Sequence, residues 1–223
     1  MMEKRIELTG ASGFTFGALH VAPEGARMGG LVLIQEIFGI NSYMAAAGRK
    51  FASAGFEVIV PSMFDRQEKD FVREGHGPDD IAAGGGYARA NGLDNALTDI
   101  GACLEALDGP VYISGYCYGG SMSYLAACEF PRLSAASCYY GSLVPGLHAR
   151  APLCPTITHF GRQDAHIPMD GVNAFAAARP DVPTHVYEAG HGFARTGSPD
   201  YDAAADALAW QRTMDLFEKA FFR

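Results

Sequence analysis

The sequence predicts one α/β domain with a mainly parallel central sheet and helices on both faces. Three observations lead there. Short β-branched runs alternate with longer stretches of helical period, the pattern that builds a parallel sheet. The length of 223 residues suits a single domain over 1–223, and a chain of that size buries roughly 70% of its unfolded surface without a disulfide or metal staple. The composition, 48% hydrophobic and 19% charged, is globular.

The elements follow in order. Leu31 to Ile34, bounded by Gly29-Gly30, reads as a buried strand. Asn41 or Ser42 caps a helix running to about Ala54, and Gly55 ends it. Phe56 to Val60 is the next strand, stopped by Pro61. Residues 62–90 are polar and contain Gly84-Gly85-Gly86, so a long loop with at most one helical turn is expected. Between Asn91 and Leu107, apolar residues recur at helical spacing (Leu93, Leu97, Ile100, Leu104, Leu107), and Gly109-Pro110 closes that helix. Val111 to Ser114 is a strand, followed by a glycine-rich turn and a helix from about Gly120 to Glu129. Ala135 to Tyr140 and Thr156 to Phe160 read as strands, Val172 to Ala178 as a helix, and Thr184 to Glu188 as the last strand. Tyr201 to Phe222 is a closing helix. Sheets of this kind bind ligands beyond the carboxyl ends of their strands, so residues just after strands carry the functional argument.

Charge and composition exclude several classes. The net charge is −8 and Lys and Arg form no run, which argues against nucleic acid and anionic membranes as partners. No apolar stretch reaches the roughly 18 residues of a membrane span. The start, Met-Met-Glu-Lys-Arg-Ile-Glu-Leu, lacks the apolar core of a signal peptide. Five cysteines without regular spacing point to reduced thiols in a cytoplasm. Asp164-x-His166 offers two metal ligands without a third, so neither metal nor cofactor is expected. Gly115 with Gly120-Ser121 has a phosphate-loop spacing but lacks its lysine.

Directly after the strand at 111–114 stands Gly115-Tyr116-Cys117-Tyr118-Gly119, the G-x-S-x-G nucleophile elbow with Cys in place of Ser. The glycines relieve a strained strand-to-helix turn, and the helix N-terminus beyond it favours a thiolate and a developing oxyanion. The plainer alternative is an inert buried thiol in a packing turn. A nucleophile there works with a base and an orienting acid, in the chain order nucleophile, acid, histidine. Asp164, four residues after the strand ending at Phe160, and His191, three after the strand ending at Glu188, supply that order. His159 and His185 fall inside strands and are weaker candidates.

Gln35-Glu36-Ile37-Phe38-Gly39, Gly115-Tyr116-Cys117, Gly161-Arg162-Gln163-Asp164 and Ala189-Gly190-His191-Gly192-Phe193-Ala194-Arg195-Thr196 resemble the dienelactone hydrolases (carboxymethylenebutenolidases) over nearly the whole chain. The resemblance implies an α/β-hydrolase fold that opens lactones or carboxylic esters. It implies Cys117 as nucleophile, His191 as general base, Asp164 as its orienter and Glu36 as a carboxylate that takes the thiol proton. It gives the N–H groups of Ile37 and Tyr118 to an oxyanion hole, Arg195 to a substrate carboxylate, and Phe38 and Tyr139 to the pocket wall. The family's second substrate-binding arginine and a tyrosine fall by spacing on Ile81 and Gly85, which cannot act so. Arg73, Tyr87 and Arg89 are the nearest substitutes if that loop folds back. Three readings follow: a cysteine-dependent hydrolase of a small, carboxylate-bearing ester or lactone, or of another activated carbonyl compound; a ligand-binding relative with little turnover; and a redox protein acting through Cys117.

Overall fold

The computed structural model describes residues 2–222. They pack as two units, one ending at Tyr112 and one beginning at Ile113. The first unit opens on two strands that the sequence reading did not anticipate, β1 (Met2–Thr9) and β2 (Thr15–Ala22). They form an antiparallel hairpin, Met2 opposite Ala22 and Thr9 opposite Thr15. Then come β3 (Gly29–Ile34), α1 (Ser42–Ser53), β4 (Phe56–Pro61) and α2 (Pro78–Glu105). The strand order is β1-β2-β4-β3, with β2 antiparallel and β3 parallel to β4. All of Leu31, Val32, Leu33 and Ile34 are fully buried, as their unbroken apolar run requires. Asn41 caps α1, its side chain accepting the Met44 N–H at 3.0 Å.

The stretch 62–90 departs from expectation, because its second half is helical. The signals for that start were present: Pro78 in the first turn, Asp79 and Asp80 beside it, and the Asp80 carboxylate accepting the Gly77 N–H at 3.2 Å. Three consecutive glycines masked them, since each costs a helix about 1 kcal/mol relative to alanine. The helix continues to Glu105 but breaks its geometry at Gly92 (φ 68, ψ 178). The segment beyond that break is the helix the apolar spacing predicted. The remaining loop folds back along the residues after β3: Gly39 bridges Val72, and the Arg73 N–H donates to the Phe38 carbonyl at 2.9 Å.

Strand β5 (Val111–Tyr116) leads into the second unit, followed by α3 (Tyr118–Glu129), β6 (Leu133–Tyr139), β7 (Thr156–Gly161), α4 (Met169–Ala178), β8 (Thr184–Tyr187) and α5 (Ala203–Phe221). The strands run β5-β6-β7-β8, with β6, β7 and β8 parallel. Elements here lie within a few residues of the sequence reading; α4 alone starts three residues earlier than expected, at Met169.

The glycine run makes a paired prediction. A Cβ on Gly84 would lie 2.0 Å from the Ile37 carbonyl oxygen, whereas one on Gly86 meets nothing within 4 Å. Gly84→Ala therefore overpacks and destabilises by about 1–3 kcal/mol, while Gly86→Ala stabilises by about 0.5–1 kcal/mol. Urea denaturation of the two variants beside the parent reads the opposite signs.

Candidate functional site

Cys117 sits between β5 and α3 with φ 55 and ψ −113, a backbone setting that L residues avoid. The surrounding glycines explain how it survives. A Cβ on Gly115 would stand 2.4 Å from the Gly119 carbonyl oxygen, and one on Gly120 would stand 2.2 Å from that of Tyr139. The Cys117 N–H donates to the Tyr139 carbonyl at 3.0 Å, and its own carbonyl accepts the Ser121 N–H at 3.2 Å. Sharp reversal lifts the side chain clear of the strand and leaves it at the amino end of α3, where the first helical amides and the helix dipole place positive potential.

Loops after β7 and β8 bring two further groups to that side chain. His191 Nε2 lies 3.2 Å from Cys117 Sγ, and its Nδ1 lies 2.7 Å from Asp164 Oδ2. The other oxygen of Asp164 accepts the backbone N–H groups of His166 (2.7 Å) and Ile167 (3.2 Å). Burial alone would raise the Asp164 pKa, but the His191 hydrogen bond and charge and the His166 N–H outweigh it and hold the carboxyl below its usual range. Burial likewise works against charge on His191, yet the bonds to Asp164 and to the Cys117 sulfur win and raise its pKa to about 10. The imidazole is therefore charged at neutral pH. Nδ1–H donates to the carboxylate and Nε2–H faces sulfur. Two rings grip it edge-on, Tyr140 and His166, each with its centroid 5.1 Å away. Such an arrangement can pass a proton between sulfur, a leaving oxygen and water while the carboxylate keeps the ring oriented.

The chain matches the profile of the Dienelactone hydrolase family over residues 16–221. The chain belongs to the dienelactone hydrolase family. It is 28% identical to carboxymethylenebutenolidase 1 of Cupriavidus pinatubonensis, covering 97% of both chains. It is 29% identical to the carboxymethylenebutenolidase of Pseudomonas putida, over 97% of this chain and 96% of that one. Among solved structures, a candidate dienelactone hydrolase from Klebsiella pneumoniae superposes with a TM-score of 0.85 at 24% identity, over 98% of this chain and 99% of that one. A dienelactone hydrolase-like promiscuous phosphotriesterase from metagenomic libraries gives 0.80 at 20% identity, over 99% of both. The fold is thus the α/β-hydrolase fold, and the protein is a dienelactone hydrolase-like hydrolase.

The other residues singled out in this family member are placed as follows. Glu36, just past β3, is only 2% exposed. The neighbouring Gln35 is buried and satisfied, its Nε2 donating to the Glu36 carbonyl (3.1 Å) and its Oε1 accepting the Met63 N–H (3.2 Å). Ile37 packs its carbonyl on Gly84, and Phe38 is buried with its ring edge-on to His76 at 4.5 Å. Tyr118 provides the first residue of α3. Arg195 reaches Ser198 Oγ with Nη2 at 3.3 Å, its guanidinium folded over the backbone next to His191. Tyr139 is buried, with its hydroxyl 2.8 Å from Thr213 Oγ1.

Ile81 is 49% exposed on α2, and neither it nor Gly85 carries a polar group. The preceding loop does fold back. The Arg73 guanidinium lies 4.5 Å over the Phe71 ring, against which Tyr87 packs at 4.9 Å. The Tyr87 hydroxyl donates to Glu68 at 2.7 Å. Among the described residues, no group of three His, Cys, Asp or Glu side chains is placed to hold a metal ion. Sequence reasoning missed Tyr140 and the contact between His166 and His191. Adjacency to a strand end and to Asp164 was their only signal.

The raised His191 pKa gives a pH prediction. Unfolded, the ring loses its proton near its ordinary value of 6.5; folded, it keeps it to about 10. The pairing stabilises fully below pH 6.5 and fades as pH rises through 10. Over that window the parent loses stability more steeply than Asp164→Asn, in which the partner charge is gone. Denaturant titrations at stepped pH measure the difference.

Proposed function

We propose that this protein hydrolyses a small carboxylic ester or lactone through Cys117, His191 and Asp164, with Glu36 assisting at the thiol. The single observation that carries the reading is the continuous contact from Asp164 through His191 to the Cys117 sulfur, at 2.7 and 3.2 Å. Cys117 attacks the carbonyl carbon as the thiolate. Its proton passes, as the resemblance implies, to Glu36, since His191 already carries its own; burial after β3 is costly for a carboxylate without work or a partner. The tetrahedral oxyanion is assigned to the N–H groups of Tyr118 and Ile37, a pair in which each donor is worth about 2.7–4 kcal/mol in comparable acyl transfer. Collapse of the intermediate breaks the carbon–oxygen ester bond, and His191 protonates the leaving oxygen. Neutral His191 then takes a proton from water, hydroxide adds to the thioester, and the acid leaves as sulfur is released.

Arg195, beside the His191 loop, is assigned to a carboxylate on the substrate, and Phe38 to the pocket wall. Ile81 and Gly85 favour a second reading on substrate alone: an activated ester or lactone other than a dienelactone, with the same Cys117 chemistry. Five cysteines, all free thiols, suit the cytoplasmic location the reading assumes.

Steady-state hydrolysis of a dienelactone and of a neutral p-nitrophenyl ester tests the proposal. Cys117→Ala loses turnover of both; near-parent activity in that variant overturns the mechanism. Arg195→Ala raises KM about tenfold or more for carboxylate-bearing esters, the value of one charge-assisted contact, and leaves neutral esters nearly unchanged. Equal losses on both refute the anion anchor. Parent activity on the neutral ester alone moves the natural substrate away from dienelactones.

A further inference from the structure

Nucleophile and base share one mount. The Tyr139 carbonyl accepts the Cys117 N–H at 3.0 Å, and the next residue, Tyr140, sets its ring against His191 at 5.1 Å. This dipeptide ends β6, and a buried polar cluster ties it inward to α5. The Tyr139 hydroxyl meets Thr213 Oγ1 at 2.8 Å. Thr213 Oγ1 also meets Ser137 Oγ at 2.7 Å and His159 Nε2 at 3.3 Å. His159 Nδ1 faces the Tyr187 hydroxyl at 2.8 Å, which Arg212 Nη1 reaches at 3.1 Å. The His159 carbonyl accepts the Tyr140 N–H at 2.7 Å. Ser137, Tyr139, His159 and Thr213 are each at most 1% exposed.

The direction of these bonds follows from the one member that can only donate. Arg212 donates to the Tyr187 oxygen, and His159 Nδ1, at 2.8 Å, is the acceptor within reach of the Tyr187 O–H. Burial, aided by the charge of Arg212 and by His185, holds His159 neutral, so Nε2 carries its one proton and points it at the Thr213–Ser137 pair. A threonine hydroxyl donates once and accepts twice. His159 Nε2 lies 3.2 Å from Ser137 Oγ and 3.3 Å from Thr213 Oγ1, its proton is shared between the two hydroxyls, and Thr213 links the Tyr139 hydroxyl to that pair. A cluster of this kind adds little stability over an apolar core of the same shape, but its directional bonds fix where their partners stand.

We propose that Thr213 is a positioning residue of the reaction, holding the Tyr139-Tyr140 dipeptide where it sets Cys117 Sγ against His191 Nε2. Thr213 touches neither substrate nor sulfur; it acts through the Tyr139 hydroxyl and the His159 ring. The proposal rests on the ester-hydrolase reading of the site, and one of its readouts is independent of that reading.

The experiment compares Thr213→Val, which keeps the shape and removes the hydroxyl, with Thr213→Ser, which keeps the hydroxyl. Two quantities are measured: kcat and KM on a p-nitrophenyl ester, and the pH profile of iodoacetamide alkylation at Cys117, read on its peptide by mass spectrometry. In Thr213→Val, kcat falls about tenfold to a hundredfold, the range expected for a small misplacement of reacting groups. KM changes little, the Cys117 alkylation profile shifts, and Thr213→Ser restores most of both. A folded Thr213→Val with parent kcat and a parent alkylation profile overturns the proposal, even if it is less stable. Should Thr213→Val fail to fold, Tyr139→Phe removes only the hydroxyl that reaches the hub, and parent values there overturn the proposal equally. If the parent turns over no ester, the hydrolase reading fails and the alkylation profile alone decides whether Thr213 positions the thiol.

Discussion

The hydrogen bond from the Cys117 N–H to the Tyr139 carbonyl, 3.0 Å long, secures a backbone conformation that its residue resists. A φ of 55 with ψ of −113 costs an L side chain on the order of 1–3 kcal/mol, and it persists only where the surroundings over-determine it. Here the over-determination is steric as well as polar. Without side chains at Gly115 and Gly120, β5, α3 and the end of β6 close to distances that leave the Cys117 side chain one direction to take. Every later feature of the second unit, the helix terminus under the sulfur and the histidine beside it, presupposes that direction.

The electrostatics explain why sulfur suits the elbow. His191 is held charged well past neutrality by a carboxylate that three N–H groups stabilise. A hydroxyl nucleophile needs a free base to remove a proton it holds tightly. A thiol gives up its proton far more readily, so a resting imidazolium beside it is a partner rather than an obstacle. In the proposed reaction that charge protonates the leaving oxygen. Tyr140 and His166, edge-on to the ring, leave it little freedom to turn away from either task.

Much of this was legible in the chain. Strands β3 to β8 declared themselves as apolar runs between breakers, and the glycines flanking Cys117 pointed to the elbow because a strained strand-to-helix turn leaves no room for side chains there. Asp164 and His191 stood out by their distance past strand ends. What stayed hidden depends on contacts between distant residues. Strands β1 and β2 carry charge, a glycine and a histidine, and only their pairing makes them strands. The first half of α2 reads as a breaker because of Gly84-Gly85-Gly86, and the need for Gly84 comes from a carbonyl nearly fifty positions earlier in the chain. Thr213 belongs to no motif; its hydroxyl gains meaning from Ser137, Tyr139 and His159, none of which lies near it in sequence.

The β1–β2 hairpin also bears on how the molecule behaves in company. β1 is the outermost strand of its unit, and most of its side chains lie open to water. Glu3, Lys4, Arg5 and Glu7 crowd that border with charges of both signs. A strand from another chain would have to strip water from these groups before it gained a backbone bond. The border that offers open hydrogen-bonding groups to its neighbours is thus the one least welcoming to them, and crowding at high concentration finds no easy template there for sheet growth.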